Sequence, residues 1–355
     1  MSFKLTVGKV SILGMDAFHN EAIISIYPFC DVNRVITNYL FATLPLLSQN
    51  GNTKTAIKGA TLNSDSLDAL LIPVPPIKEQ IRICEKIKAL KNILSIYTNL
   101  EQSLTRLNDT FPLQLKKSIL QYAIQGKLVP QDPADEPASA LLERIRAEKE
   151  QFIKEGKIKR DKHESVIFRR DNSYYEKVDG IERCIDDELP FEIPENWEWV
   201  RFFSIVEIAT NLVSPERYFD YMHIAPDNIE KSTGTLLECR TVAQDKVSSP
   251  NHLFFKGQIL YSKIRPLLRK AVIAPFDGLC SADMYPLKTP LNKEYLLRYI
   301  LSDSFNAQVA TAMSSRVKMP KINQAELSKV LIPVPPIQEQ ERIVNKIKEL
   351  YMALV

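Results

Sequence analysis

Two stretches of this 355-residue sequence concentrate positive charge without a single acid. Lys246–Phe276 contains Lys246, Lys256, Lys263, Arg265, Arg269 and Lys270, and Ser304–Ala325 contains Arg316, Lys318 and Lys321. Side chains of this type neutralise backbone phosphates and release counterions, and arginine can also read a guanine edge with two hydrogen bonds. Tyr261 and Tyr285 lie near the first stretch. The candidate DNA-binding residues are therefore Lys263, Arg265, Arg269, Lys270, Arg316, Lys318 and Lys321. For any one of them a solvated surface position is the competing reading. Local concentration carries the signal, because the chain as a whole is only +3 and Arg201–Val330 only +5. An earlier part of the chain keeps a remnant of both stretches in Lys4, Lys9, Lys54 and Lys58.

Bond-making chemistry has no comparable support. The sequence holds no glycine-rich dinucleotide fingerprint and no P-loop. Val74-Pro75-Pro76-Ile77 lacks the amide or carboxylate and the aromatic ring of an adenine methyltransferase motif. Glu155-Gly156-Lys157 with Asp135 upstream is the nearest approach to a nuclease metal site, and it falls on a predicted helix end and connector. His19, His163, His223 and His252 show no metal-ligand spacing. Five scattered cysteines without a CxxC pair read as reduced thiols of a cytosolic protein. No apolar run reaches the ~18 residues of a membrane span, and Met1–Val10 lacks a signal-peptide core.

The elements that must position the basic residues are organised by a repeat. Leu71–Leu90 returns at Leu331–Leu350, with fifteen of twenty positions identical at an offset of 260. The register extends upstream, pairing Lys58 with Lys318, Asn63 with Asn323 and Leu67 with Leu327. Pro73, Pro75 and Pro76 predict a short extended strut that cannot donate fully to a β ladder. A helix should follow, with Glu79 favoured in its first turn by the helix dipole. Its apolar positions Ile87, Leu90, Leu94, Tyr97, Leu100, Leu104 and Leu107 step by three or four, the spacing of a coiled-coil seam. Helical from Ile77 to Asp109, this piece is roughly 50 Å long. A core-facing amphipathic helix would show similar spacing, but the duplication favours a paired, antiparallel coiled coil. Pro112 should break or kink the helix, Leu113–Gln125 should continue to Gly126, and Pro137 should open a second helix to Glu155.

A proline-rich strut running into EQxRI and a long helix, present twice and separated by divergent segments, resembles the specificity (S) subunit of type I restriction-modification systems. Gln114–Pro133, Glu136–Lys157 and Glu188–Arg201 (ELPFEIPENWEWVR) fit the same family, so the resemblance covers essentially the whole chain. It implies an α+β fold of two β-rich mixed target-recognition domains, the first partial, joined by long coiled-coil helices. It implies sequence-specific binding of double-stranded DNA at a bipartite site, in the cytoplasm, by a chain that is not itself an enzyme. Modification (methyltransferase) and restriction (endonuclease and translocase) subunits are the implied protein partners. No cofactor is expected on this chain, since S-adenosylmethionine, ATP and Mg belong on those partners.

The divisions expected are 1–70 for the end of a first recognition domain, 71–156 for strut and central helices, and 157–187 for a basic linker. Residues 188–330 form the second recognition domain, and 331–355 the second strut and the start of a distal helix. Phe18–Phe29 and Phe202–Ile208 read as strands, and Asn172–Asp187 as irregular. Against the second copy the first lacks a counterpart of Trp197–Leu260, so both ends look cut. The alternative to DNA recognition is accordingly a truncated interaction module that docks on a modification subunit.

Overall fold

A computed structural model describes residues 1–2, 8–49, 54–56, 59–61, 68–156, 164–209, 211–313 and 320–354. The chain divides into two compact units, Met1–Asp109 and Thr110–Val355. The α+β class expected from the sequence is what is seen: long helices and a sheet-rich second unit.

In the first unit a helix spans Val35–Gln49, and β1 (Lys54–Ala56) pairs antiparallel with β2 (Gly59–Thr61). The Asp31 carboxylate accepts hydrogen bonds from Ile36 N–H at 2.8 Å and from the Thr37 hydroxyl, which fixes the helix start. Among the described residues Phe18–Phe29, expected as a strand, shows no ladder, and a single bridge pairs Ile23 with Ser2. Phe18, Tyr27 and Phe29 are exposed.

The long helix runs Ile77–Ile124 as one element with Pro112 inside it, so the expected break is absent. A proline removes one intrahelical hydrogen bond, and forty-eight residues of helix supply many others. The helix ends where Gly126 was expected to stop it. Gly126 has a φ of +69°, and Lys127 N–H donates back to Tyr122 C=O at 2.9 Å. A helix Ala138–Lys154 follows, close to its expected bounds.

Residues 166–184, expected inside an exposed linker, instead form an antiparallel meander of β3 (Val166–Arg170), β4 (Ser173–Val178) and β5 (Ile181–Cys184). The reason lies at Glu176 and Ile167. Both are buried, Ile167 beside Ile185, Trp199 and Leu331. Next comes β6 (Glu198–Arg201), then a four-residue helix Phe202–Ile205 where a strand was expected, which buries Phe202 and Ile205.

Two larger sheets lie in the second unit. The strands are β7 (Glu207–Ile208), β8 (Leu212–Val213), β9 (Met222–Ile224), β10 (Arg240–Thr241), β11 (Asn251–Phe254), β12 (Ile259–Ser262), β13 (Ala271–Ile273), β14 (Gly278–Cys280) and β15 (Met284–Lys288). One sheet has the order β10-β9-β14-β11-β8 and the other β13-β12-β15-β7. Alternation along β12 decides what lies on each face. Leu260 joins Val272, Ile224, Phe254 and Cys280 in the core shared by both sheets. Ile259 and Tyr261 face the opposite way, onto Leu296, Tyr299, Ile300 and Phe305 from helices Lys293–Ile300 and Asp303–Ala312.

The second strut is not a bare extended linker. Leu331–Val334 forms β16, paired antiparallel with β6 in the register Leu331 to Arg201 and Val334 to Glu198. Proline is tolerated because alternate residues point their backbone groups away from β6. Leu331 C=O accepts from Tyr299 Oη–H at 2.6 Å, and Pro333 C=O accepts from Tyr295 Oη–H at 2.9 Å. The final helix, Ile337–Met352, packs Ile343, Val344 and Ile347 against Ile119, Leu120 and Ala123 of the long helix and against Trp197.

Candidate nucleic-acid interface

The turn between β12 and β13 carries four of the seven basic residues singled out above. It is held in a defined shape. Arg265 and Arg269 both adopt left-handed backbone, with φ of 45° and 51°, around a one-turn helix Pro266–Leu268. Non-glycine residues rarely accept that region, so the surroundings must enforce it. Arg265 N–H donates to Pro320 C=O at 2.8 Å, Ile322 N–H donates to Lys263 C=O at 2.9 Å, and Ile264 bridges Lys321. Residues 263–265 are thereby fastened to 320–322, which brings the two acid-free stretches side by side.

The seven basic residues then separate by role. Arg265 is exposed at the turn, next to exposed Leu267. The Lys263 ammonium sits 5.3 Å from the centre of the Tyr285 ring, a cation–π contact that limits where it can point. Lys321 pairs with Asp283 at 3.0 Å on a half-exposed surface. Arg269 and Lys270 are turned inward. Arg269 pairs with Asp303 and donates to Leu301 C=O at 3.3 Å, and its side chain is only 16% exposed. Lys270 Nζ donates to Pro226 C=O at 2.7 Å, with Asp227 3.5 Å away. These two therefore brace the turn instead of offering free charge. Arg316 and Lys318 lie outside the described residues.

The sequence concealed this division because the acids that occupy Arg269, Lys270 and Lys321 come from elsewhere. Asp227, Asp283 and Asp303 all lie outside the two acid-free stretches and reach them only through the fold. Nearby His252 is held below the usual histidine range, first by burial and then by the charge of Lys263.

Of the weak metal candidate, Lys157 lies outside the described residues. Asp135 makes a two-pronged pair with Arg342, its Oδ1 3.0 Å from Nη1. His223 Nδ1 is 2.8 Å from Asp245 Oδ2. Among the described residues no group of three or more histidine, cysteine or acidic residues is placed to hold a metal.

A second network escaped sequence reading altogether. Buried Glu176 accepts two hydrogen bonds from Arg201, at 2.8 Å each, two from Arg183, at 3.1 Å from Nε and 2.6 Å from Nη2, and one from Ser165 at 2.6 Å. Arg201 also pairs with Glu188 and donates to Lys329 C=O. Burial alone would raise the Glu176 carboxyl; Arg201, Ser165 and Arg183 together outweigh it and hold it at about 2. The partners are spread over more than 160 residues of sequence, with no local pattern to link them.

The candidate partner surface is the helix seam. Ile87 is half-buried, while Leu90, Leu94, Tyr97, Leu100, Leu104 and Leu107 are all exposed along one stripe. Among the described residues no helix covers it, and the expected pairing is not seen there. A continuous apolar stripe of this length is unusual on a solvated surface.

A family model described as "Type I restriction modification DNA specificity domain" matches residues 1–106 and 194–354. The type I restriction enzyme EcoDI specificity subunit of Escherichia coli is 43% identical over 172 residues, covering 48% of this chain and 38% of the relative. The EcoAI specificity subunit, also from Escherichia coli, is 32% identical over 249 residues, covering 66% and 39%. The chain thus spans under two fifths of the length of these curated relatives. Among solved structures, an HsdS subunit from Thermoanaerobacter tengcongensis aligns over 89% of this chain and 63% of its own length, at 17% identity and a TM-score of 0.39. Among the described residues no helix is long and apolar enough to cross a membrane.

Proposed function

The chain belongs to the type I restriction-modification DNA specificity family, and from that membership we propose that its second unit reads one half of a bipartite duplex DNA site. The observation that carries the proposal is the braced turn between β12 and β13. It holds Arg265 exposed, with Lys263 and Lys321 beside it, on a rigid two-sheet support. A braced turn loses little conformational freedom on binding, which favours a reading element over a merely charged surface. Arg265 is assigned to a base edge or phosphate, and Lys263 and Lys321 to the backbone.

In this reading the chain supplies no bond-making step. Modification subunits bring S-adenosylmethionine and methylate adenine, and restriction subunits bring ATP, Mg and strand cleavage. The long helix acts as a spacer, so that its length sets the separation of half-sites that can be engaged together. Its exposed seam is the surface on which a modification subunit or another helix docks.

Binding of the chain, alone and with its modification subunit, to a pool of random duplexes tests the reading. Enrichment of a defined half-site, lost in Arg265→Ala, is expected. Docking on the modification subunit with no sequence enrichment would instead favour the interaction-module reading, which the uncovered seam also supports.

A further inference from the structure

The two copies of the strut share the sequence LIPVPPI, yet only one of them is covered. At Leu331–Val334 the cover is β6. Leu331 and Pro333 turn their backbone groups toward Gln308, Tyr299 and Tyr295, which leaves those of Ile332 and Val334 facing β6. Just before β6, Trp197 Nε1–H donates to Glu339 Oε2 at 2.9 Å. Trp197 and Trp199 are both fully enclosed.

The first copy is built to the same plan up to that point. Tyr39 Oη–H donates to Pro73 C=O at 2.8 Å, as Tyr295 does to Pro333. Gln80 Nε2–H donates to Pro75 C=O at 2.8 Å, as Gln340 does to Pro335 at 2.9 Å. From there the copies part. Leu71 is 87% and Val74 75% exposed, whereas Leu331 and Val334 are enclosed. Ile72 and Val74 make no backbone hydrogen bond among the described residues. Glu79, the counterpart of Glu339, pairs among the described residues with Arg82, three residues along its own helix. Gln80 Oε1 is buried and accepts no hydrogen bond among the described residues, while Gln340 Oε1 accepts from Asn292 N–H at 2.8 Å.

We infer that Leu71–Val74 is a strand-acceptor edge, and that its occupant is a segment bearing a Pro-Glu-Asn-Trp-x-Trp-Val strand of the kind seen at 194–200. The pattern is dictated by the covered copy. A residue opposite Ile72 must exchange both backbone hydrogen bonds, as Val200 does with Ile332. The tryptophan three residues earlier must bring an indole N–H to Glu79, as Trp197 does to Glu339. A second copy of this chain is a poor donor. Its own strand would have to leave β16 and expose Trp197 and Trp199 to water.

The test uses the full chain and a synthetic peptide of residues 188–202, followed by hydrogen exchange resolved to single amides. Saturable binding is expected, with exchange at Ile72 and Val74 slowed at least about tenfold and exchange at Ile332 and Val334 unchanged. Peptide N-methylated at Val200, whose N–H would face the strut, should bind at least about tenfold more weakly, since it loses a ladder bond and adds a clash. Peptide N-methylated at Trp199, whose N–H faces away, should bind like the parent. These controls leave the protein unaltered, so misfolding cannot imitate them. No saturable binding, slowing confined to Ile332 and Val334, or equal binding of the Val200-methylated peptide would each overturn the inference. Protection of Ile72 and Val74 that rises with protein concentration in the absence of peptide would also overturn it, in favour of a second copy.

Discussion

Trp197 donates its indole N–H to Glu339 across 142 residues of sequence, at 2.9 Å. The same carboxylate accepts from Gln131 through its other oxygen, at 2.6 Å. One acid thus ties the strand side of the second unit, the connector after the long helix, and the first turn of the final helix. Burial raises the Glu339 carboxyl, and the donors from Trp197 and Gln131 work against that rise. Trp197→Phe keeps most of the ring volume and deletes one donor. A loss of ~1–3 kcal/mol is expected from the acceptor left behind, measurable as a lower urea midpoint with unchanged slope.

Glu176 gives the fold its acid sensitivity. Its carboxyl is held at about 2 against an ordinary 4.5, so its stabilising contribution is complete above pH 4.5 and is lost as pH falls toward 2. The shift corresponds to on the order of 3 kcal/mol. Urea midpoints of the parent and Glu176→Gln should differ most near neutrality and converge at the acid end. A constant difference across that range would contradict the assignment.

Arg265 and Arg269, four residues apart, should fail differently. Arg265→Ala should weaken DNA binding and lower the dependence of log affinity on log salt by about one unit if it meets a phosphate. A base contact would instead relax one position of the site, at ~1–3 kcal/mol. Arg269→Ala should act mainly on stability, because it removes the brace to Asp303 and Leu301. Salt titrations beside thermal melts separate the two.

The seam offers a sharper contrast. Leu94 and Leu104 are exposed, so Leu94→Asp together with Leu104→Asp should leave the melting of the isolated chain nearly unchanged. Complex formation with a modification subunit or a paired helix should weaken by several kcal/mol, at ~2–5 for each buried leucine lost. Equal binding by parent and variant would remove the seam from the partner surface.

Gly126 tests the end of the long helix. Its φ is +69°, and a Cβ there would clash with Pro194 Cγ and lie 3.2 Å from Trp197 Cζ2. Gly126→Ala should cost ~1–3 kcal/mol from backbone strain and overpacking, read from the thermal midpoint.

The helices were legible because their signals are local: Pro76 before the first turn, three-four spacing after it, and Gly126 at the stop. The position of the basic turn was legible as well, since charge is visible one residue at a time. Which of those charges are free was not, because Asp283 and Asp303 approach only in the fold. The meander at 166–184 was misread as linker for a related reason. Its alternation is masked by charged residues, and the one that mattered, Glu176, looks like any solvated acid until Arg201 is seen against it. Pro333 misled through a rule that holds for central strands and not for an edge. The identical strut at Leu71–Val74 stays uncovered among the described residues, so the same four residues, LIPV, are strand in one place and exposed chain in the other.

The Glu176–Arg201 pair also bears on how such genes can be shuffled. Recognition segments could be exchanged between relatives by recombination, and the position of the crossover decides what the hybrid inherits. A junction between 188 and 197, just ahead of β6, would separate Arg201 from Glu176, Arg183 and Ser165. The incoming segment would then bury a guanidinium against a carboxylate it did not evolve beside. A junction ahead of Ser165 moves all four together, so the heritable block is set by a charge pair and begins about thirty residues before β6.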